Sequence, residues 1–124
     1  MTDRGARARA IAHPAREELV LTGVLHALAD PMRLQVVRRL DRSELPMACA
    51  ALELPVSKAT TTHHFRVLRE AGVIRQRYEG TARLSELRVD DLEARFPGLL
   101  AAVLRAADRT PAAPSPRDTD GTPG

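Results

Sequence analysis

The run Ser57, Lys58, Ala59, Thr60, Thr61, Thr62, His63, His64, Phe65, Arg66 gathers side chains able to meet the base edges and phosphates of a nucleic acid. On a helix advancing about 100° per residue, Lys58, Ala59, Thr62, His63, Arg66, Arg69 and Glu70 share one arc of roughly 140°. Thr60, Thr61, His64, Phe65, Val67, Leu68 and Ala71 fill the remainder. The inner arc can pack, whereas the outer arc is short and polar in its first turn and basic further along. Small side chains let a helix sink into a major groove roughly 12 Å wide, and the arginines behind them can reach phosphate or guanine.

Any surface helix is polar on one face, so the flanking sequence decides what this face is for. Ser57 can cap the helix and Gly72 can end it. A short helix expected at about Pro46 to Glu53 precedes it across the tight turn Leu54, Pro55, Val56, which predicts helix-turn-helix geometry. After Gly72, the run VIRQRYEGTARLSELRV alternates around Glu79, Gly80 and Thr81. It predicts strands over Val73 to Tyr78 and Ala82 to Arg88. Arg77 and Arg83 flank the turn, with Arg75 one alternate position behind. A hairpin so charged beside a recognition helix is a wing that tracks phosphates or enters the adjacent minor groove, and the plain alternative is an edge hairpin with solvated arginines.

Other chemistries find little support. Cys49 is the single cysteine, so no internal disulfide and no multi-thiolate metal site can form, and Cys49 reads as a small buried apolar residue. His13 and His26 stand thirteen apart without a thiolate nearby, and His63 and His64 fall on opposite arcs, so no metal site is assigned. There is no nucleophile with an orienting acid near His63, no glycine-rich phosphate loop and no paired carboxylates in a recognisable cleft. The chain reads as a non-enzyme needing no cofactor.

The elements that would position the basic face follow from periodicity. From about Ala15 to Ala29, Leu21, Val24, Leu25 and Leu28 form one stripe, widened by Leu19 and Val20. Asp30 and Pro31 begin a second helix that runs to about Asp41, with Leu34, Val37 and Leu40 inward. Asp90 and Asp91 cap a short turn containing Leu92, and Pro97 opens a last helix with Leu99, Leu100, Val103 and Leu104 on its apolar side. The expected order is helix, helix, helix, helix, hairpin, helix: a mainly α fold with a small β-hairpin, a winged helix-turn-helix. The first and last helices show more apolar surface than one subunit can cover. Leu21, Val24, Leu25, Leu28, Leu99, Leu100, Val103 and Leu104 are therefore the expected dimer interface, with core packing inside one subunit the competing explanation for each.

At 124 residues and 13.6 kDa the chain allows one domain. It is read as residues 15–107, between a basic disordered tail (1–14) and a Pro-rich disordered tail (108–124). The overall charge is only +3, from 19 basic against 16 acidic residues. Placement matters more, because residues 57–88 hold seven basic and three acidic side chains. With Phe65, Tyr78 and Phe96 the only aromatics, a core this small is built from Leu, Val and Ala, which again favours a dimer. No apolar run approaches the roughly 18 residues of a membrane span and no secretory segment is recognisable, so no membrane partner and a cytoplasmic location are expected.

The run LADPMRLQVVRRL, the string SKATTTHHFRVLREAGVI and the hairpin RYEGTAR together resemble the ArsR/SmtB family of bacterial winged helix-turn-helix transcription factors, over about Leu25 to Leu104. The resemblance implies a homodimer, joined through its first and last helices, that binds a partly palindromic double-stranded operator and represses transcription until a signal releases it. It leaves room for a small-molecule effector. The family's recognition helix usually begins Ser-Gln-Ser-x-x-Ser-His, which places its base-reading positions on Lys58, Ala59, Thr62 and His63. Lys58 and Ala59 depart from that pattern and should change the bases read, an ammonium favouring guanine acceptors and the Ala methyl suiting thymine. The family's thiolate sensors carry Cys-x-Cys where this chain has Pro46 and Ala48, and its last-helix zinc site needs a histidine that no position after His64 supplies. DNA-binding residues are thus expected at Lys58, Ala59, Thr62, His63 and Arg66, with backbone contacts from Arg75, Arg77 and Arg83. The alternative is a winged-helix module that binds another protein through the same face.

Overall fold

Two side-chain caps and two glycines set the limits of the central elements in the computed structural model, which describes residues 11–52 and 54–109. Asp30 accepts the backbone N–H groups of Met32 and Arg33 through Oδ2, at 2.9 and 3.1 Å, and Pro31 supplies the first helical residue. This starts helix α2, Pro31–Arg42, directly after α1, Leu21–Leu28. Ser57 caps helix α3, Lys58–Ala71, its Oγ accepting from the Thr60 N–H at 3.1 Å. Gly72 ends α3 in the left-handed region at φ 86°, where the Gly72 and Val73 N–H groups close on the Arg69 and Leu68 carbonyls.

Gly72 has a second duty. A Cβ built there would lie 2.0 Å from Leu19 Cδ2, so only glycine lets Leu19 seat against the end of α3. The same packing explains why the helix expected from Ala15 does not run through. Arg16–Glu18 form one 3-10 turn, Leu19 and Val20 are extended, and α1 begins at Leu21. Turning Leu19 inward also brings its carbonyl to the Arg95 guanidinium at 2.7 Å, and a helix continuing from Ala15 would commit that carbonyl elsewhere.

The helix expected at Pro46 to Glu53 is replaced by strand β1, Met47–Ala48, and a 3-10 turn, Cys49–Leu52. A stretch this short cannot repay helix nucleation, and the free edge of the hairpin offers its backbone partners instead. β1 pairs antiparallel with β3, Met47 opposite Ser85 and Ala48 opposite Leu84. The hairpin comprises β2, Ile74–Glu79, and β3, Ala82–Leu87, joined through Gly80 (φ 66°) and Thr81, with Glu79 opposite Ala82. Strand order is β1-β3-β2, leaving the outer edge of β2 outside the sheet's own pairing.

Helix α4, Val89–Arg95, takes the place of the short turn expected around Leu92, with Asp90 and Asp91 in its first turn. Helix α5, Leu99–Arg109, follows Gly98. The core joins all these elements: Val24, Ala27 and Leu28 from α1, Val36, Val37 and Leu40 from α2, Phe65 and Leu68 from α3, Ile74 from β2, Leu92 from α4 and Leu100 from α5. The result is mostly helical with a small antiparallel sheet. No described helix is long and apolar enough to cross a membrane. Of the expected disordered tails, 1–14 and 108–124, residues 1–10 and 110–124 lie outside the described residues, whereas His13 and Pro14 are hydrogen-bonded to Gln76 and Arg88, and Asp108 and Arg109 continue α5; the Cys49 side chain is also outside the described residues.

Candidate nucleic-acid interface

Helix α3 divides as its angular pattern predicts. Lys58, Ala59, Thr62, His63, Arg66 and Glu70 are exposed, while His64, Phe65 and Leu68 are buried and Thr60, Thr61, Val67 and Ala71 are half-buried. Lys58 and Arg66 engage no ion pair or hydrogen bond among the described residues, so their charge is available to a partner. Arg69 departs from the outer arc. It turns back half-buried to donate to Gln76 Oε1 on β2 at 2.9 Å, which braces the helix against the hairpin. Gln76 in turn donates to Ser85 Oγ at 3.0 Å inside the sheet.

The angle of α3 is set from beneath by a buried arginine that the periodicity of the sequence does not reveal. Arg33 in α2 donates through Nε to the Ala27 carbonyl at 2.8 Å and through Nη2 to the His26 carbonyl at 3.2 Å, satisfying two carbonyls at the end of α1. Its Nη1 lies 3.2 Å from His64 Nδ1. Arginine can only donate, so Nδ1 must accept and the imidazole is neutral with its proton on Nε2, towards Asp30 Oδ2 at 3.9 Å. Burial holds the His64 pKa below its ordinary value, with the Asp30 carboxylate opposing and the Arg33 charge reinforcing that shift. One guanidinium thus ties the C-terminus of α1 and the start of α2 to the inner face of α3, one residue from the exposed His63.

The hairpin stands beside α3 and is more self-contained than its arginines alone imply. Arg75 meets Glu86 on β3 and Asp91 on α4, both at 3.3 Å. Arg77 meets Glu79 at 3.4 Å, and Arg83 lies over the Tyr78 ring and donates to its hydroxyl. Arg77 is exposed near the turn, Arg83 is half-buried, and Arg75 sits lower, at the foot of the hairpin. Asp91 is the hub of that foot. Its Oδ1 accepts from Arg16 and its Oδ2 from the nearly buried Arg88, both at 2.8 Å, and these bonds hold its pKa below the usual carboxylate range.

The residues expected at a dimer interface separate into two sets. Val24, Leu28 and Leu100 are 1%, 6% and 8% exposed and belong to the core of the single subunit, because α1 and α5 each turn that side inward. Leu21 and Leu25 remain exposed, joined by Val20, and Leu99, Val103 and Leu104 on α5 are half-buried. No group of three or more His, Cys, Asp or Glu side chains among the described residues is placed to hold a metal ion. His13 packs instead against the hairpin, with Nε2 accepting the Gln76 N–H at 2.9 Å.

Comparison with known proteins agrees with this architecture. Residues 28–77 match the helix-turn-helix domain family. Over 86 residues, 68% of this chain and 86% of the relative, the chain is 29% identical to the HTH-type transcriptional regulator YceK of Bacillus subtilis (strain 168). It is 37% identical over 68 residues to the HTH-type transcriptional regulator Rv2034 of Mycobacterium tuberculosis, spanning 55% of this chain and 64% of that one. Among solved structures, the ArsR family transcriptional regulator RHA00566 superposes with a TM-score of 0.56 at 25% identity, covering 73% of this chain and 98% of its own. A protein described as "possible transcriptional regulator for arsenical resistance" gives 0.54 at 25% identity, covering 74% and 99%. The three-stranded sheet, the capped α3 and the adjacent hairpin define a winged helix-turn-helix DNA-binding transcriptional regulator. Within that class, the chain is similar to the ArsR family regulator among those solved structures.

Proposed function

We propose that the chain acts as a homodimeric repressor that binds a partly palindromic operator in double-stranded DNA, with α3 in the major groove and the hairpin as its wing. The supporting observation is the exposed face of Lys58, Ala59, Thr62, His63 and Arg66 on a helix capped at both ends and braced on the sheet through Arg69 and Gln76. Lys58, Ala59, Thr62 and His63 read bases, Arg66 serves base or phosphate, and Arg77 and Arg83 anchor the backbone. Arg75 first supports the wing through Glu86 and Asp91, and contacts phosphate only with the half of its side chain that stays exposed.

The homodimer reading rests on Val20, Leu21 and Leu25, three large apolar side chains exposed around the start of α1, together with the half-buried Leu99, Val103 and Leu104 of α5. A twofold dimer using the same patch on each subunit would cover them and present two copies of α3 to a symmetric site. The repressor reading rests on the resemblance to ArsR family regulators.

Fluorescence anisotropy with duplex DNA across a salt series tests the DNA reading, and affinity should fall steeply as salt rises. A response flat with salt, or absent at low salt, would transfer α3 to the alternative role of a protein-binding face. Leu25→Glu, read by sedimentation equilibrium, should give a folded monomer that binds one half-site at least 100-fold more weakly than the parent binds the whole site. A dimer that survives Leu25→Glu rejects the interface.

A further inference from the structure

Each half of the candidate interface is pinned by a histidine that accepts a hydrogen bond. Beneath α3, His64 Nδ1 accepts from Arg33 Nη1 at 3.2 Å, and Arg33 also holds the Ala27 and His26 carbonyls. Along the hairpin, His13 Nε2 accepts the Gln76 N–H of β2 at 2.9 Å. Gln76 is also the residue through which Arg69 braces α3 against the sheet, at 2.9 Å. Neither donor can exchange roles, because a guanidinium and a backbone amide only donate. Both contacts therefore last only while His64 Nδ1 and His13 Nε2 carry no proton.

The surroundings set the direction of the response to acid. His64 faces Arg33 of α2, its neighbour His63 on α3, and the Asp30 carboxylate at the start of α2, which lies 3.9 Å from Nε2. That carboxylate already accepts the Met32 and Arg33 N–H groups. An imidazolium here would meet a guanidinium at 3.2 Å and could gain a counter-charge only by drawing on the cap of α2. His13 faces Arg69 of α3, Arg75 of β2 and Arg88 between β3 and α4, and only a backbone hydrogen bond to Ile11 favours its charged form. Burial is the first cause that lowers both pKa values, with Arg33 adding to it at His64 and the three arginines at His13. Protonation thus breaks a contact at each site: α3 loses its tie to Arg33, and β2 loses its tie to the segment that precedes α1.

We propose that the chain is a proton-sensitive regulator, in which acidification releases α3 at His64 and the wing at His13 and so lowers affinity for DNA while the protein stays folded. The assignment rests on the DNA-binding reading and adds a signal to it, the proton. The sign is opposite to the one that charge alone dictates. Acid adds positive charge, including on the exposed His63 of the reading face, and a DNA-binding surface without such a device binds more tightly as pH falls.

The test measures affinity by fluorescence anisotropy from about pH 7.5 to 5.5, a range set by the ordinary histidine value, at constant ionic strength. The probe is a duplex selected by the full chain from random sequences at neutral pH, and far-UV circular dichroism at each point restricts the comparison to folded protein. Below its pKa each histidine lowers the binding-competent fraction by at most about tenfold per pH unit, and the parent should bind at least about fivefold more weakly at the acid end. His64→Gln and His13→Gln each keep an acceptor that does not titrate, so each should lose part of this drop. The double variant should reverse it, binding slightly more tightly in acid through His63. Nitrogen–proton correlation spectra of the histidine rings in the parent give a second reading that needs no variant: the His64 and His13 midpoints should fall where affinity falls. Equal or tighter binding by the parent in acid overturns the switch and leaves DNA binding by α3 intact. A drop that survives in the double variant, or ring midpoints outside the range of the drop, overturns the assignment to these two histidines. Absence of binding at every pH removes the DNA reading and the switch together.

Discussion

Helix α3 and the hairpin contribute comparable numbers of basic residues to the candidate interface, yet they hold them differently. On α3, Lys58 and Arg66 project from a helix whose first turn is otherwise Ala and Thr, and neither has a partner among the described residues. On the hairpin, antiparallel pairing puts Glu86 directly opposite Arg75, and Glu79 lies two residues along the same face from Arg77. Counting charge along residues 57–88 treats these as equivalent. The structure separates them into a helix with spare charge, suited to reading, and a hairpin whose charge is largely spent on its own bracing.

The largest expected effect lies at the foot of the hairpin. Asp91→Ala removes the shared acceptor of Arg16, Arg75 and Arg88 and leaves the nearly buried Arg88 without its counter-charge. Breaking such a pair from one side costs about 3–5 kcal/mol, to be read as a shift of the urea midpoint at constant slope. The contrast with α3 predicts more than instability: at a temperature where the variant is still folded, base preference should be unchanged while affinity drops for every sequence. A loss below about 0.5 kcal/mol would place Asp91 among ordinary surface ion pairs and dissolve the distinction between a braced wing and a free helix.

A middle-sized effect separates the two regions on DNA itself. Thr62→Ala or His63→Ala should cost about 1–3 kcal/mol at one operator position and little elsewhere, whereas Arg77→Ala or Arg83→Ala should weaken all sequences alike. Competition binding against single-base variants of the operator gives both numbers. Uniform loss from both pairs would mean that α3 also binds without reading.

The parts of this arrangement that local chemistry dictates were legible in the sequence. Asp30 with Pro31, Ser57, Gly72 and the Gly80 turn are each recognisable from residue type, and all four sit where the caps and turn were expected. The two faces of α3 followed from period alone. What was not legible depended on partners distant in the chain. Met47–Ala48 becomes a strand because β3 has an edge to fill, and Leu19 leaves the first helix because Gly72 has no side chain. Val24, Leu28 and Leu100 read as dimer interface because an apolar stripe does not say whether its own subunit or a second one covers it. Arg33 and Asp91 carry no periodic signal, since a buried charge is justified only by acceptors and donors that folding brings to it.

The smallest expected effect is on pH dependence, and it touches both regions at once. His64 beneath α3 and His13 on the hairpin edge each accept a hydrogen bond that only the neutral ring can take, from Arg33 and from the Gln76 N–H. Burial lowers both pKa values below 6.5, aided at His13 by the charges of Arg88, Arg69 and Arg75. The unfolded chain therefore binds more protons than the native one between 6.5 and the lowered values, and linkage makes stability rise with pH across that window. Stability should be full above about 6.5 and fall as pH drops below it, well before the depressed Asp91 carboxylate begins to titrate. His64→Gln should flatten part of this fall in urea midpoints measured from about pH 7.5 to 5.5, a range set by the ordinary histidine value. Amide exchange tells the two sites apart, because the Gln76 N–H donates to His13 and should lose protection on acidification even in the His64→Gln protein. If the Gln76 amide keeps its protection at the acid end, His13 is not its acceptor in solution, and the edge of the wing is open where α3 is sealed.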